Sequence, residues 1–184
     1  MAEITVLHVV PDLRRKAGGI AATVPALAEA LRALGVESRF VTFAHDGDPD
    51  PAGRMTLAAA RDARRPDRLG RLMGAALSDL PPDTVLHSHG LWTLLNHAGM
   101  AAAARMGRPT VLSLHGMLLP WARRHRKLRK DLAWLLYQRR DLLRADRVHV
   151  TSAEEARIAT AIAGEAAVAR ISFGVALPEA PPPA

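Results

Sequence analysis

An α/β domain with a Rossmann-like, mainly parallel sheet flanked by helices is the fold this sequence predicts, from two observations. Short runs rich in branched residues recur at Ile4–Val10, Ser38–Phe43, Thr84–His87, Thr110–Leu114 and Arg147–Thr151, and most are separated by segments of helical periodicity. Strand, helix, strand in succession is the βαβ unit, whose crossover brings the second strand back parallel to the first. The length of 184 residues suits one domain. A chain of about 150 residues already buries roughly 68–70% of the surface it exposes when unfolded, enough for a core.

The elements follow in order. After the first strand, Pro11–Ile20 reads as a loop entering a helix through Gly18 and Gly19. Ile20, Val24, Leu27, Ala28, Leu31 and Leu34 then share one helical face until Gly35 ends it. Pro25 fits that helix only within its first turn, where amides lack intrahelical partners, so the helix start is read to within a few residues. Ala44–Pro66 carries Gly47, Pro49, Pro51 and Gly53 without a sustained apolar period, and reads as a mobile surface excursion. Helical period returns at Leu69, Leu72, Met73, Ala76, Leu77 and Leu80, and again from Trp92 to Met106; both segments are expected to be crossover helices. Trp121, Leu128, Leu132, Leu135, Leu136, Leu142 and Leu143 keep helical spacing, which places an apolar face opposite a basic one. The domain is read as residues 1–177, with the proline-dominated Pro178–Ala184 as a tail or the start of a linker.

Composition narrows the function classes. The chain has no cysteine, which rules out disulfides and thiolate metal sites and fits a reducing cytosol. No basic leader precedes the first apolar run, and no uncharged stretch approaches the ~20 residues of a membrane span. The expectation is a cytoplasmic protein. Its formal charge of +7 attracts nucleic acid, anionic lipid or phosphorylated substrates alike. Aromatic residues make up only 4% and do not interleave with the basic ones, which disfavours nucleic acid as a partner.

Three segments converge on the carboxyl ends of strands, where open α/β sheets place their ligand crevice. Gly18 and Gly19 let a ligand approach the backbone, and the helix start behind them offers free amides to a phosphate. Without the full G-x-G-x-x-G spacing, a nicotinamide cofactor is not expected. His87-Ser88-His89-Gly90, followed by Leu91-Trp92, and Leu114-His115-Gly116-Met117 occupy equivalent places. A single histidine is more simply a structural residue; two such segments facing the glycines point to acid, base or hydrogen-bond work. No metal is expected, because the histidines lack carboxylate or thiolate companions at helical ligand spacing. The basic run containing Arg123, Arg124, Arg126 and Lys127 reads either as the solvated side of a surface helix or as a platform for anionic headgroups or phosphates.

These segments together resemble the N-terminal domain of the family 4 glycosyltransferases, retaining enzymes of GT-B architecture, and in particular a bacterial subgroup that builds polysaccharide chains at a cytoplasmic membrane face. The resemblance runs from Leu7-His8-Val9-Val10-Pro11 and Gly18-Gly19-Ile20 to Ile171 and Gly174-Val175. It is most specific across His115-Gly116-Met117-Leu118, Pro120-Trp121-Ala122, Ala133-Trp134, Tyr137, Arg139-Arg140, Ala145-Asp146, His149, Thr151-Ser152 and Glu154-Glu155. It implies that Gly18 and Gly19 face the diphosphate of a nucleotide-sugar donor, that His115 is the active-site histidine beside the transferred sugar, and that His89 and Trp92 line the acceptor side. It further implies a glycan or lipid-linked acceptor, no cofactor beyond the donor substrate, and a peripheral contact with the inner face of a membrane. The donor-binding domain of the family, with its paired glutamates, has no counterpart here, so a C-terminal domain or subunit is the expected partner and the chain alone is expected to be inactive. Glu29 and Glu37 match the spacing of that pair but are divided by Gly35. Ser172-Phe173 stands where the family usually has Pro-Asn, and Leu119 where an acidic residue is common.

Overall fold

The computed structural model describes residues 4–14, 17–44 and 55–174. Seven strands form one parallel sheet in the order β3-β2-β1-β4-β5-β6-β7. They are β1 (Thr5–Val9), β2 (Glu37–Phe43), β3 (Met55–Ala58), β4 (Val85–His89), β5 (Thr110–Ser113), β6 (Arg147–Val150) and β7 (Val168–Arg170). The helices are α1 (Gly19–Ala33), α2 (Pro66–Ser78), α3 (Leu94–Arg105), α4 (Pro120–Arg124), α5 (Lys127–Ala133), α6 (Arg139–Arg144) and α7 (Ala153–Ala163). A π-helical turn, Trp134–Gln138, joins α5 to α6.

All five strands expected from the sequence are present. β3 and β7 are additional edge strands of four and three residues. Edge strands are short and pair on one side only, so neither needs the long branched run that marks a central strand. β3 corrects the reading of Ala44–Pro66 as a structureless excursion, at least over Met55–Ala58; residues 45–54 lie outside the described residues, as do Pro178–Ala184.

Strand alternation divides the core in two. Leu7, Val9, Leu86, Leu112, Val148 and Val150 point to one face and pack with Leu69, Met73 and Leu77 of α2, Leu95 of α3, Leu142 of α6 and Ala159 of α7. Val10 and Phe40 belong to the other face and meet Val24 and Ala28 of α1. Right-handed crossovers account for this split: α1 carries the chain from β1 towards the β3 edge, while the later helices carry it in the opposite direction. A buried leucine contributes about 1.5–3 kcal/mol through this packing.

Two helical expectations need correction. Helix α1 begins at Gly19, so Pro25 lies in its second turn and its missing N–H leaves the Ala21 carbonyl without an intrahelical donor. The region 121–145 is not one amphipathic helix with its leucines in the core. Arg126 adopts a left-handed conformation (φ 53°) that separates α4 from α5, and Trp121, Leu128, Leu132, Leu135 and Leu136 are 58–84% exposed. Only Leu142 of that stripe is buried. No helix of the described residues is long and apolar enough to cross a membrane.

Leu86→Ala is expected to cost about 2–5 kcal/mol in urea unfolding, since it empties a fully buried position. Leu128→Ala, at an exposed position of the same residue type, is expected to change stability by less than about 0.5 kcal/mol.

Candidate functional site

The site is built at the carboxyl ends of β1, β4 and β5. Because β1 and β2 lie to one side of the β1–β4 boundary and β5 to the other, successive crossovers leave it in opposite directions and open a crevice there. At its β1 wall, Gly18 has φ 93° and precedes the first turn of α1, which has no side-chain cap and no acidic residue. A Cβ on Gly18 or Gly19 would meet nothing within 4 Å, so the backbone borders open space. The positive end of the helix dipole faces that space.

Gly90 ends the β4 wall with φ 85°. A Cβ there would lie 2.9 Å from Met117 Cε and 3.8 Å from Ile20 Cδ1. The start of α1 and the loops after β4 and β5 therefore meet at Gly90, and the Leu91 amide also donates to Met117 Sδ at 3.1 Å.

His115 and Trp92, both expected from the sequence to be site residues, are two of the three non-glycine residues with positive φ among the described residues, at 51° and 74°. Such conformations cost about 1–3 kcal/mol and persist only where the surroundings hold them. The buried Glu155 carboxylate holds the His115 loop, accepting from the Gly116 amide and from the Thr151 amide at 3.1 Å. The π-helical turn holds Trp92: its amide donates to Gln138 Oε1 at 2.8 Å, and Tyr137 Oη donates to its carbonyl at 3.1 Å. Trp92 Nε1 is buried without a partner among the described residues.

Behind His115 lies a network of imidazoles. His89 Nδ1 is 3.2 Å from His115 Nε2, and His89 Nε2 is 3.0 Å from His8 Nδ1. His87 Nε2 is 2.7 Å from Ser113 Oγ, which is 2.7 Å from His149 Nδ1. Burial holds His8 and His115 near pKa 4, down from 6.5, and pushes His87 and His89 well below the ordinary value, so these four rings are neutral at pH 7. His89 is 1% exposed and supports His115 from behind, which corrects the expectation that it lines the acceptor side itself. Phe173 lies parallel to the His115 ring, with the ring centroids 5.4 Å apart. A groove of about 590 Å³ runs between α1 and Ile171–Gly174, bordered by Thr23, Leu27, His87, His149 and Phe173.

The basic residues sit apart from this edge. Arg124, Arg126 and Lys127 are exposed, while Arg123 stacks over Trp134 at 5.2 Å and pairs with Asp131 at 3.2 Å. Lys130 connects the two regions: its Nζ lies 5.7 Å from the Trp92 ring centroid and donates to the Ala122 carbonyl at 2.6 Å. Sequence reading had no signal for Gln138, or for Asn96, which is buried and donates to Ser88 Oγ at 2.8 Å and to the His89 carbonyl at 3.1 Å. Both lie within helices, where a single polar residue on a buried face has no pattern to mark it.

Gly90→Ala is expected to lower stability by roughly 1–3 kcal/mol through its left-handed backbone and the Met117 contact. Gly74→Ala, mid-helix in open space, is expected to raise it by about 0.5–1 kcal/mol in the same urea titration.

The fold has solved relatives. A protein described as a UDP-N-acetylglucosamine 2-epimerase from Listeria monocytogenes is 18% identical with a TM-score of 0.63, covering 91% of this chain and 44% of its own. The UDP complex of MnaA from S. aureus is 15% identical with a TM-score of 0.61, covering 91% and 43%. An α,α-trehalose-phosphate synthase (UDP-forming) from Burkholderia vietnamiensis is 18% identical with a TM-score of 0.55, covering 96% and 49%. The chain thus spans less than half the length of each. No curated protein matches it in sequence. The sequence of residues 18–174, from the paired glycines to Gly174, matches the glycosyl transferase 4-like domain, and the chain belongs to that family.

Proposed function

We propose that this chain supplies the acceptor-side half of a glycosyl transfer in which a hexosyl group passes from a nucleotide sugar to a glycan or lipid-linked acceptor. The observation that carries the reading is the crevice where the uncapped start of α1 faces the strained His115 and Trp92. In this reading the amides at Gly18 and Gly19 receive the donor diphosphate, whose negative charge grows as the glycosidic bond breaks. His115 hydrogen-bonds the transferred sugar. Trp92 lines the acceptor side. No metal takes part at the reacting atoms.

A donor-binding C-terminal domain or separate subunit forms the opposite wall. Transition-state stabilisation requires donors from both walls, so the isolated chain is expected to turn over at least about 10³-fold more slowly than the completed enzyme. Purified chain is incubated with nucleotide sugars and a lipid-linked acceptor, and nucleoside diphosphate release is followed. Rapid release by the chain alone sinks the half-site reading. In the completed enzyme, His115→Ala is expected to lower kcat by about 10²–10³-fold with a smaller change in KM for the donor.

A second reading, docking on an anionic membrane surface, has its own observation. Large apolar side chains and exposed Arg124, Arg126 and Lys127 occupy the same stretch of surface. Leucines entering the headgroup boundary bury apolar area, while each basic residue near an anionic surface adds about 1 kcal/mol. Co-sedimentation with vesicles containing phosphatidylserine is expected to fall at least about tenfold when Arg123, Arg124, Arg126 and Lys127 become Ala. Unchanged sedimentation removes this reading and leaves the transfer reading standing.

A further inference from the structure

We propose that His8, His87 and His89 form a binding site for one divalent transition-metal ion of the zinc class, behind the crevice and away from the reacting atoms. Two backbone rules bring them together. Alternate residues of a strand share a face, so His87 and His89 project to the same side of β4. Parallel register then sets His8 of β1 beside His87. One ring nitrogen of each lies within 4.8 Å of one from each of the others. The histidines lack helical ligand spacing, but strand spacing brings the rings together without a carboxylate or thiolate.

The surrounding hydrogen bonds orient these rings as ligands. His149 Nε2 donates to the Ile171 carbonyl at 2.8 Å, and a carbonyl only accepts. His149 Nδ1 then accepts from the Ser113 hydroxyl, and Ser113 Oγ accepts from His87 Nε2–H. That leaves His87 Nδ1 as a lone pair. His89 turns Nδ1 to His115, leaving Nε2 only 3.0 Å from His8 Nδ1. Metal-ligating histidines are held in this manner, through the ring nitrogen that does not bind the ion. With bonds of about 2.0–2.1 Å to imidazole, two nitrogens on one zinc-type ion stand roughly 3–3.4 Å apart.

An all-imidazole set selects zinc, cobalt, nickel or copper over magnesium or calcium. The groove beside His87 and His149 supplies the entry path. A bound ion would join β1 to β4 and leave the His89 proton on Nδ1, donated to His115 Nε2; His115 would then present Nδ1–H to the crevice. That last consequence rests on the transfer reading, while the ion itself does not.

The 184-residue chain, with any affinity tag removed, is stripped with EDTA and titrated with Co(II) while visible absorption is recorded. The expected result is one equivalent of Co(II), with the d–d bands of nitrogen ligation abolished by one equivalent of Zn(II). His8→Phe should weaken Co(II) binding at least a hundredfold, and His125→Ala, on the exposed turn before α5, should leave it unchanged. Absence of the bands, or equal affinity in His8→Phe, overturns the proposal. If His8→Phe does not fold, Ser113→Ala removes the bond orienting His87, along with that to His149, and should weaken binding about tenfold; unchanged affinity there also overturns it. None of these readouts uses transfer activity.

Discussion

The parallel pairing of β1 with β4 is the constraint on which the rest of the molecule depends, because it is made from the two ends of a long excursion in sequence and yet lies at the centre of the sheet. His8 pairs with His87 and Val9 with Ser88 across it. Everything from β2 to α2 must leave and return for this pairing to form, which makes it expensive in loop entropy and dependent on burial on both faces. Leu7, Val9 and Leu86 supply that burial on one side, while His8 and Phe40 stack at 5.2 Å on the other. The same pairing creates the crevice, since the connections on its two sides run apart.

Two strained residues then sit at that crevice, each held by an element distant in sequence. His115 is held through Glu155 at the start of α7, and Trp92 through Gln138 and Tyr137 in the π-helical turn. Both supports are hydrogen bonds from distant side chains to backbone groups, which fix a loop in place. The consequence is a division of labour in which the strands set position and the distant helices set the backbone conformation at His115 and Trp92.

How much of this was legible in the sequence depends on the distance over which each signal acts. The central strands and α2 were readable because branched runs and a 3.6-residue period are local. Gly18, Gly19, His89 and His115 were readable as a group because parallel topology brings all strand ends to one edge. β3 and β7 were not, since a strand of three or four residues at an edge leaves no run to count. Pro25 in the second turn of α1 was not, because packing of Val24 and Ala28 outweighs one lost hydrogen bond. Gln138, Asn96 and the depth of His89 required knowledge of which surfaces meet.

The segment 120–144 shows most clearly why periodicity alone misleads. Its leucines keep helical spacing, and spacing of that kind ordinarily marks the buried stripe of a surface helix. Here the helix docks through Ala133, Trp134, Gln138 and Leu142, a smaller and partly polar set. The π-helical turn explains the change of face: inserting an extra residue into one turn rotates everything before it relative to everything after, so that no single stripe serves both α5 and α6. The inner face is occupied in holding Trp92, through a glutamine and a tyrosine that a leucine could not replace. The larger apolar residues are thereby displaced outward, beside exposed cations. The geometry that holds the Trp92 backbone therefore also leaves Leu128, Leu132, Leu135 and Leu136 exposed.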